Sequence, residues 1–211
     1  MRFDVITIFP DIFEGFMKES LLKRAREDKL IDIQIHNLRD FATDKHKTVD
    51  DTPYGGGPGM VFKIEPMYNA IKKVKLKGKK KVKIIYLTPR GEMFVQKTAQ
   101  KWSKLDQIII LTGRYEGVDE RVAELADESV SVGEYVLLGG EIPAMAIVEA
   151  TARLVPGVVG KKGSTEKLNF PQYTKPAIFK AGRKKLEVPK VLQSGDHKKI
   201  KEWRDKHSLD W

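Results

Sequence analysis

Apolar and polar positions follow two rhythms along most of this chain. FDVITIF, starting at Phe3, is an almost continuous apolar run that stops at Pro10 and Asp11, the pattern of a buried strand followed by a helix start. Ile12, Phe13, Phe16, Leu21 and Leu22 then recur at helical spacing, and IDIQIHNL alternates like a half-buried strand. Beyond a glycine-rich stretch come a helix near Glu65–Lys75, the strand KVKIIYLT, the helix FVQKTAQKWSKL and the strand QIIILTG. A short helix from Asp119, the strand-like ESVSVG and the helix EIPAMAIVEATARLV complete the series. Strand and helix alternating in this way predict an α/β fold, a parallel sheet covered by helices on both faces.

Past Pro156 the rhythm stops. GVVGKKGSTEKLNFPQYTKP has the composition of a linker, and two short helix candidates follow, the second being GDHKKIKEWRDKHSL. The expected organisation is an α/β domain over residues 1–160, a linker over 161–175 and a small basic helical domain over 176–211.

Composition narrows the function classes. A chain of 211 residues with 41% hydrophobic residues can bury a sizeable core. It has no cysteine, which excludes disulfides and thiolate metal sites, and His36, His46, His197 and His207 show no metal-ligand spacing. The apolar run in MRFDVITIFPDIF is too short for a signal peptide, and no later run approaches a membrane span, so a cytoplasmic protein is expected. The net charge of +10 is unevenly distributed. Pro156–Trp211 holds 14 Lys and Arg against 6 Asp and Glu, whereas Met1–Val155 holds 25 against 23. Ion-pair networks would be balanced in sign, so a basic segment interleaved with Phe170, Tyr173, Phe179 and Trp203 predicts a polyanionic partner. A second run, KKVKLKGKKKVK from Lys72 to Lys83, carries eight lysines and no acid between a helix and a strand, where a solvated turn suffices.

In an open parallel sheet, ligands bind outside the carboxyl ends of the strands. Three segments there combine Gly or Pro with few long side chains: YLTPRG (Tyr86–Gly91), LTGRYEGVDER (Leu111–Arg121) and VGEYVLLGGEIPAM (Val132–Met145). Such segments let backbone groups approach a flat ligand closely. No GxGxxG follows a strand, and neither GxxxxGK[ST] nor GxSxG occurs, so dinucleotide, P-loop and nucleophile-elbow sites lose their main support. An adenine-bearing ligand without a phosphate chain is the remaining expectation. A fourth segment, DDTPYGGGPGMV, places four glycines and two prolines within Pro53–Gly59.

Taken together, ITIFPDIF, DDTPYGGGPGMV, YLTPRG, LTGRYEGVDER, VGEYVLLGGEIPAM, ARLVPGVVG and PQYTKP resemble the bacterial tRNA (guanine-N1)-methyltransferases of the SPOUT superfamily, over essentially the whole chain. The resemblance implies a deep trefoil knot in the sheet domain, with S-adenosylmethionine bound inside the knot loops. It implies a cofactor cradle of Tyr86, Leu87, Thr88 and Pro89 from the first loop and Gly113, Tyr115, Glu116 and Gly117 from the second. The third loop adds Val132, Gly133, Glu134, Tyr135, Val136 and Leu137, and Leu138, Gly139, Gly140 and Pro143 complete the wall. Pro53, Tyr54, Gly55, Gly56, Gly57, Pro58 and Gly59 would lie against the target guanine, at position 37 of tRNA, 3′ to the anticodon.

Guanine N1 is protonated at neutral pH, so its methylation needs a base near N1 and a cation near O6. Arg153, in ARLVPG, resembles the family's catalytic arginine. The family places an aspartate in a longer linker after it; here the only carboxylate between Arg153 and Glu187 is Glu166, the candidate base. That departure keeps open a second reading, a knotted tRNA- and cofactor-binding protein with weak or no turnover. The resemblance further implies a homodimer in which one chain supplies the cofactor loops and Arg153 and the other supplies the linker carboxylate. It adds Mg2+ as a candidate cofactor, without a metal site readable in the sequence. The family generally continues beyond HSLDW, which leaves two readings open, a trimmed chain or a domain of a longer protein.

Overall fold

The computed structural model describes residues 1–78, 80–159 and 170–208. It divides into two compact units, Met1–Val159 and Gly160–Trp211. In the first, β1 (Arg2–Thr7) leads through a 3-10 turn at Pro10–Phe13 into α1 (Glu14–Lys18) and α2 (Ser20–Glu27), then β2 (Asp32–Asn37). Two-residue strands β3 (Asp50–Asp51) and β4 (Val61–Phe62) flank the glycine-rich loop. They are followed by α3 (Ile64–Val74), β5 (Val82–Met93), α4 (Gln96–Trp102), β6 (Gln107–Leu111), a 3-10 turn at Glu120–Glu124, β7 (Glu128–Ser131) and α5 (Glu141–Ala152).

Five strands form one sheet in the order β2-β1-β6-β5-β7, and every pairing within it is parallel. Alternation along the central strands divides the core between two faces. Phe3, Val5, Ile85, Leu87, Ile108 and Ile110 pack with Phe13 of the 3-10 turn and with Leu22, Trp102, Ala144 and Ile147 from α2, α4 and α5. Ile6, Ile84, Tyr86, Ile109 and Leu111 pack on the other face with Met67, Ala70, Ile71 and Val74 of α3. That spacing, i, i+3, i+4 and i+7, is what makes α3 a one-faced helix. β6 is buried at all five positions, as a central strand covered on both faces must be. Each fully buried isoleucine there contributes about 1.5–3 kcal/mol relative to exposure.

The parallel sheet sends the ends of β5, β6 and β7 to the same side, which is where the three glycine-containing segments emerge. The opposite end holds a buried polar cluster: Asp4, fully buried, accepts from Arg2, His36 and Gln107. Helix α5 starts on the loop side at Gly140 and runs back along the sheet, since Gly157, just beyond it, packs on Leu30, the second residue before β2.

In the second unit, β8 (Ile178–Ala181) and β9 (Lys184–Glu187) form an antiparallel hairpin ahead of α6 (Lys190–Gln193) and α7 (His197–Lys206). A wholly helical description of this segment is therefore incomplete. Tyr173 meets Trp203 edge-on at 6.2 Å, and Arg204 lies over the Phe170 ring at 5.1 Å. Asp196 caps α7 by accepting from the amides of Lys198 and Lys199. Residues 160–169, which include most of the expected linker and Glu166, lie outside the described residues. Among the described residues no helix is long and apolar enough to cross a membrane.

Candidate active site

The first loop is an excursion from inside a strand. Leu87 pairs with Val130, pairing resumes with Glu92 opposite the same residue, and Thr88–Gly91 leave the sheet between them. At Gly91 the chain returns so closely over β7 that a Cβ would collide with the backbone of Val130, which reserves the position for glycine. The second loop follows β6 and holds Tyr115 in a left-handed conformation, φ 58°, uncommon for a non-glycine residue. The third loop follows β7 and is stitched to the second. Gly140 N donates to Gly113 O at 3.0 Å, and Arg114 and Gly139 form an antiparallel bridge.

These loops enclose a cavity of about 520 Å3. Tyr86, Leu87, Thr88 and Pro89 line it from the first loop, and Gly113, Tyr115, Glu116 and Gly117 from the second. Val132, Tyr135, Val136, Leu137, Leu138, Gly139, Gly140 and Pro143 line it from the third. Gly133 and Glu134 are not among the lining residues: Gly133 sits under the Tyr135 ring, where a side chain would have no room, and Glu134 is exposed. The lining also includes Arg90, Arg114, Val118, Val130 and Ser131, which the sequence reading passed over. The two arginines stand inside YLTPRG and GRYEGVDER, so the motifs contained them; their direction was what the strings did not carry.

The electrostatics of the cavity favour a ligand without a polyphosphate. Arg90 is ion-paired with Glu120, and Arg114 donates from Nε to Glu141 at 2.8 Å, so both arginines already face a carboxylate. Burial first, and the charge of Glu120 second, push the Tyr86 phenol up, which keeps it neutral. Glu116, Thr88 and Ser131 add polar groups to a lining that is otherwise aliphatic, aromatic or glycine, and the volume is that of a small-molecule pocket. These residues fit an adenosyl ligand. Among the described residues no three His, Asp or Glu side chains converge as a cation site.

The glycine-rich loop is anchored to the same cavity. Its β3–β4 stem pairs Asp50 with Phe62 and Asp51 with Val61, and Gly55, Gly56, Gly57 and Gly59 all have positive φ, between 78° and 123°. Phe62 N donates to Gly117 O at 3.0 Å, Asp119 N to Phe62 O at 2.9 Å and Glu116 N to Met60 O at 3.2 Å. The Phe62 ring meets Tyr115 edge-on at 5.7 Å. Gly59 lies directly on Glu116, so close that a Cβ would stand 2.5 Å from Cγ of that side chain. Pro53, Tyr54 and Pro58 do not line the cavity; Tyr54 is fully exposed.

Arg153 is elsewhere. It is the C-terminal cap of α5, a 12-residue helix whose first turn touches the cavity, so its Cα lies about 18 Å along the axis from that turn. An extended arginine does not span that distance. Within one chain, Arg153 and the cavity therefore stand at opposite ends of α5.

Comparison with known proteins agrees with the motifs. A sequence model of the family described as "tRNA (Guanine-1)-methyltransferase TrmD" matches residues 1–210. A tRNA (guanine-N(1)-)-methyltransferase of Dictyoglomus turgidum (strain DSM 6724 / Z-1310) is 47% identical over 216 residues, covering 99% of this chain and 85% of the relative. One from Desulfitobacterium hafniense (strain Y51) is also 47% identical, over 99% of this chain and 80% of its own length. One from Ruminiclostridium cellulolyticum (strain ATCC 35319 / DSM 5812 / JCM 6584 / H10) is 43% identical over 100% of this chain and 92% of its own length. With its cavity loops and glycine-rich segment inside one match that spans residues 1–210, this chain belongs to the tRNA (guanine-1)-methyltransferase family.

Proposed function

We propose that this tRNA (guanine-N1)-methyltransferase binds S-adenosylmethionine in the cavity and modifies the guanine at position 37 of tRNA, as a cytoplasmic homodimer. The observation that carries the reading is the convergence of three loops on one cavity, with the stem of the glycine-rich loop hydrogen-bonded to the second of them. When bound, S-adenosylmethionine supplies an electrophilic methyl group for N1. Leu87, Pro89, Leu137 and Leu138 offer apolar surface to the adenine, and Glu116 and Tyr86 offer polar groups that fix its orientation. The glycine-rich loop presents backbone rather than side chains to the guanine edge. Coupled through Phe62 and Gly59 to Tyr115 and Glu116, it holds target and cofactor in one register.

The path of the chain supports a trefoil knot. β7 lies at one edge of the sheet, yet α5 packs with β1 and the turn after it, so the segment between them crosses the ends of β5 and β6. Arg153 and Glu166 complete the site from the second copy of the chain. Arg153 stabilises the negative charge that gathers on O6, and Glu166 removes the N1 proton. The separation of Arg153 from its own cavity supports this assignment.

A methyl-transfer assay with an unmodified tRNA transcript tests the reading. Transfer is expected with guanine at position 37 and is lost when adenine replaces it; transfer unaffected by that replacement overturns the position. S-adenosylhomocysteine should raise Tm in proportion to the logarithm of its concentration above Kd, while NAD and ATP should not.

A further inference from the structure

Arg114 has a second face that the proposed function does not use. Glu141, only 1% exposed, accepts from Arg114 Nε on one carboxylate oxygen at 2.8 Å and from Thr7 Oγ1 on the other at 2.7 Å. Thr7 Oγ1 in turn accepts from Phe9 N at 3.0 Å, and the Arg114 guanidinium lies over the Phe9 ring, 4.9 Å from its centroid. Gly139 has no side chain because the Arg114 side chain passes where a Cβ would be. The planar group is thus fixed by a buried carboxylate at Nε, an aromatic face below and a backbone above. Among the described residues nothing accepts from Nη1 or Nη2, and the residue lines the cavity. Its side chain is 21% exposed, open on that side only in part.

We infer that Arg114 is an oxyanion-binding residue, with Glu141 and Phe9 as its positioning residues, and that the two Nη groups receive one anionic group of a bound reactant. A guanidinium held at Nε presents Nη1 and Nη2 as a preorganised fork, the geometry that pairs with a carboxylate or a single phosphate rather than with a polyphosphate chain. Two reactants carry such a group: the amino-acid carboxylate of S-adenosylmethionine and a phosphodiester of the tRNA. The inference rests on the proposed cofactor cavity and adds the group that orients its occupant or the RNA beside it.

The test compares wild type with Arg114→Gln and Arg114→Lys by calorimetric titration with S-adenosylhomocysteine, with 5′-methylthioadenosine, which lacks the amino-acid carboxylate, and with tRNA over a range of salt. If the anion is the cofactor carboxylate, Arg114→Gln weakens S-adenosylhomocysteine by roughly ten- to hundredfold and leaves 5′-methylthioadenosine unchanged. If it is an RNA phosphate, both small ligands bind as before, tRNA binds less tightly, and the salt slope falls by about one. Arg114→Lys should recover part of either loss, since it restores charge without the fork. Unchanged binding of all three ligands overturns the inference, as does an equal loss for 5′-methylthioadenosine, which would mark general collapse of the loops. Glu141→Gln, checked for folding by its melting curve, should shift affinity in the same arm as Arg114→Gln; a loss in the other arm overturns the positioning role. Failure of S-adenosylhomocysteine to bind wild type overturns the cavity reading itself, and this inference with it, and is distinguishable from a neutral Arg114→Gln.

Discussion

Asp4 shows how one residue can join the ends of several strands. It is fully buried in β1, where burial by itself raises a carboxyl group, yet hydrogen bonds from His36, Arg2 and Gln107 outweigh it and hold Asp4 below the ordinary carboxylate range. Gln107 also donates to Val74 O and accepts from Leu76 N, so the cluster fixes the end of α3 to the sheet. Because the folded value is lowered, the contribution to stability is complete above the ordinary carboxylate range and is lost as pH falls through the lowered folded value. Asp4→Asn leaves Arg2 without its buried partner and should cost about 3 kcal/mol or more at neutral pH. Denaturant midpoints measured from neutral to acid pH should show the gap from wild type closing below the ordinary carboxylate range. A gap of constant size would overturn the assignment. Little in RFDVIT announced this role: an aspartate two residues from Arg2 in an apolar strand is legible as an anomaly, but its other partners, His36 and Gln107, come from two other strands.

Among the elements, the two-residue ladder of β3 and β4 has an effect out of proportion to its length. Phe62 is buried, pairs with Asp50, exchanges two backbone hydrogen bonds with Gly117 and Asp119 and supports the Tyr115 ring. Phe62→Ala should therefore lower stability by about 3–5 kcal/mol. It should also weaken S-adenosylhomocysteine binding, because Tyr115 and Gly117 line the cavity. If calorimetry finds cofactor affinity intact in a folded Phe62→Ala protein, the stem and the cavity are not coupled. The ladder could not be read from the sequence, since two residues show no period. The hairpin β8–β9 escaped for another reason: every residue in both strands is exposed, so IFKAGRKKLE has no apolar face to reveal it. The buried strands were legible because cover on both faces of the sheet demands nearly continuous apolarity at β1 and β6, whereas the edge strand β2 alternates in sequence. The excursion inside β5 was only half legible. TPRG reads as a turn, but the return of Glu92 to the same partner as Leu87 is a tertiary fact.

At the scale of the whole molecule, the separation of Arg153 from the cavity bears on how two copies would cooperate in the proposed homodimer. The family resemblance supplied the residue, while periodicity supplied only a helix ending near Pro156. What places Arg153 is the direction of α5, whose first turn carries Pro143 to the cavity and whose last turn leads to Gly157 on Leu30. A two-fold dimer of the kind proposed would bring the far end of α5 from one chain to the cavity of the other without any change in fold, because each chain offers both surfaces. Leu138→Trp, at an exposed lining position, fills the cavity without entering the core, and Arg153→Ala removes the guanidinium; each homodimer should be nearly inactive. After reversible dissociation and mixing, a heterodimer has one site with an open cavity from the Arg153→Ala chain and an intact Arg153 from the Leu138→Trp chain. Random mixing should therefore restore about a quarter of wild-type activity, one active site in every two heterodimer sites. Mixing Arg153→Ala with Glu166→Gln should restore nothing if, as proposed, both groups reach the site from the same chain. The reverse pattern, recovery in the second mixture and none in the first, would return Arg153 to the chain that binds the cofactor and would require α5 to be reoriented in the dimer.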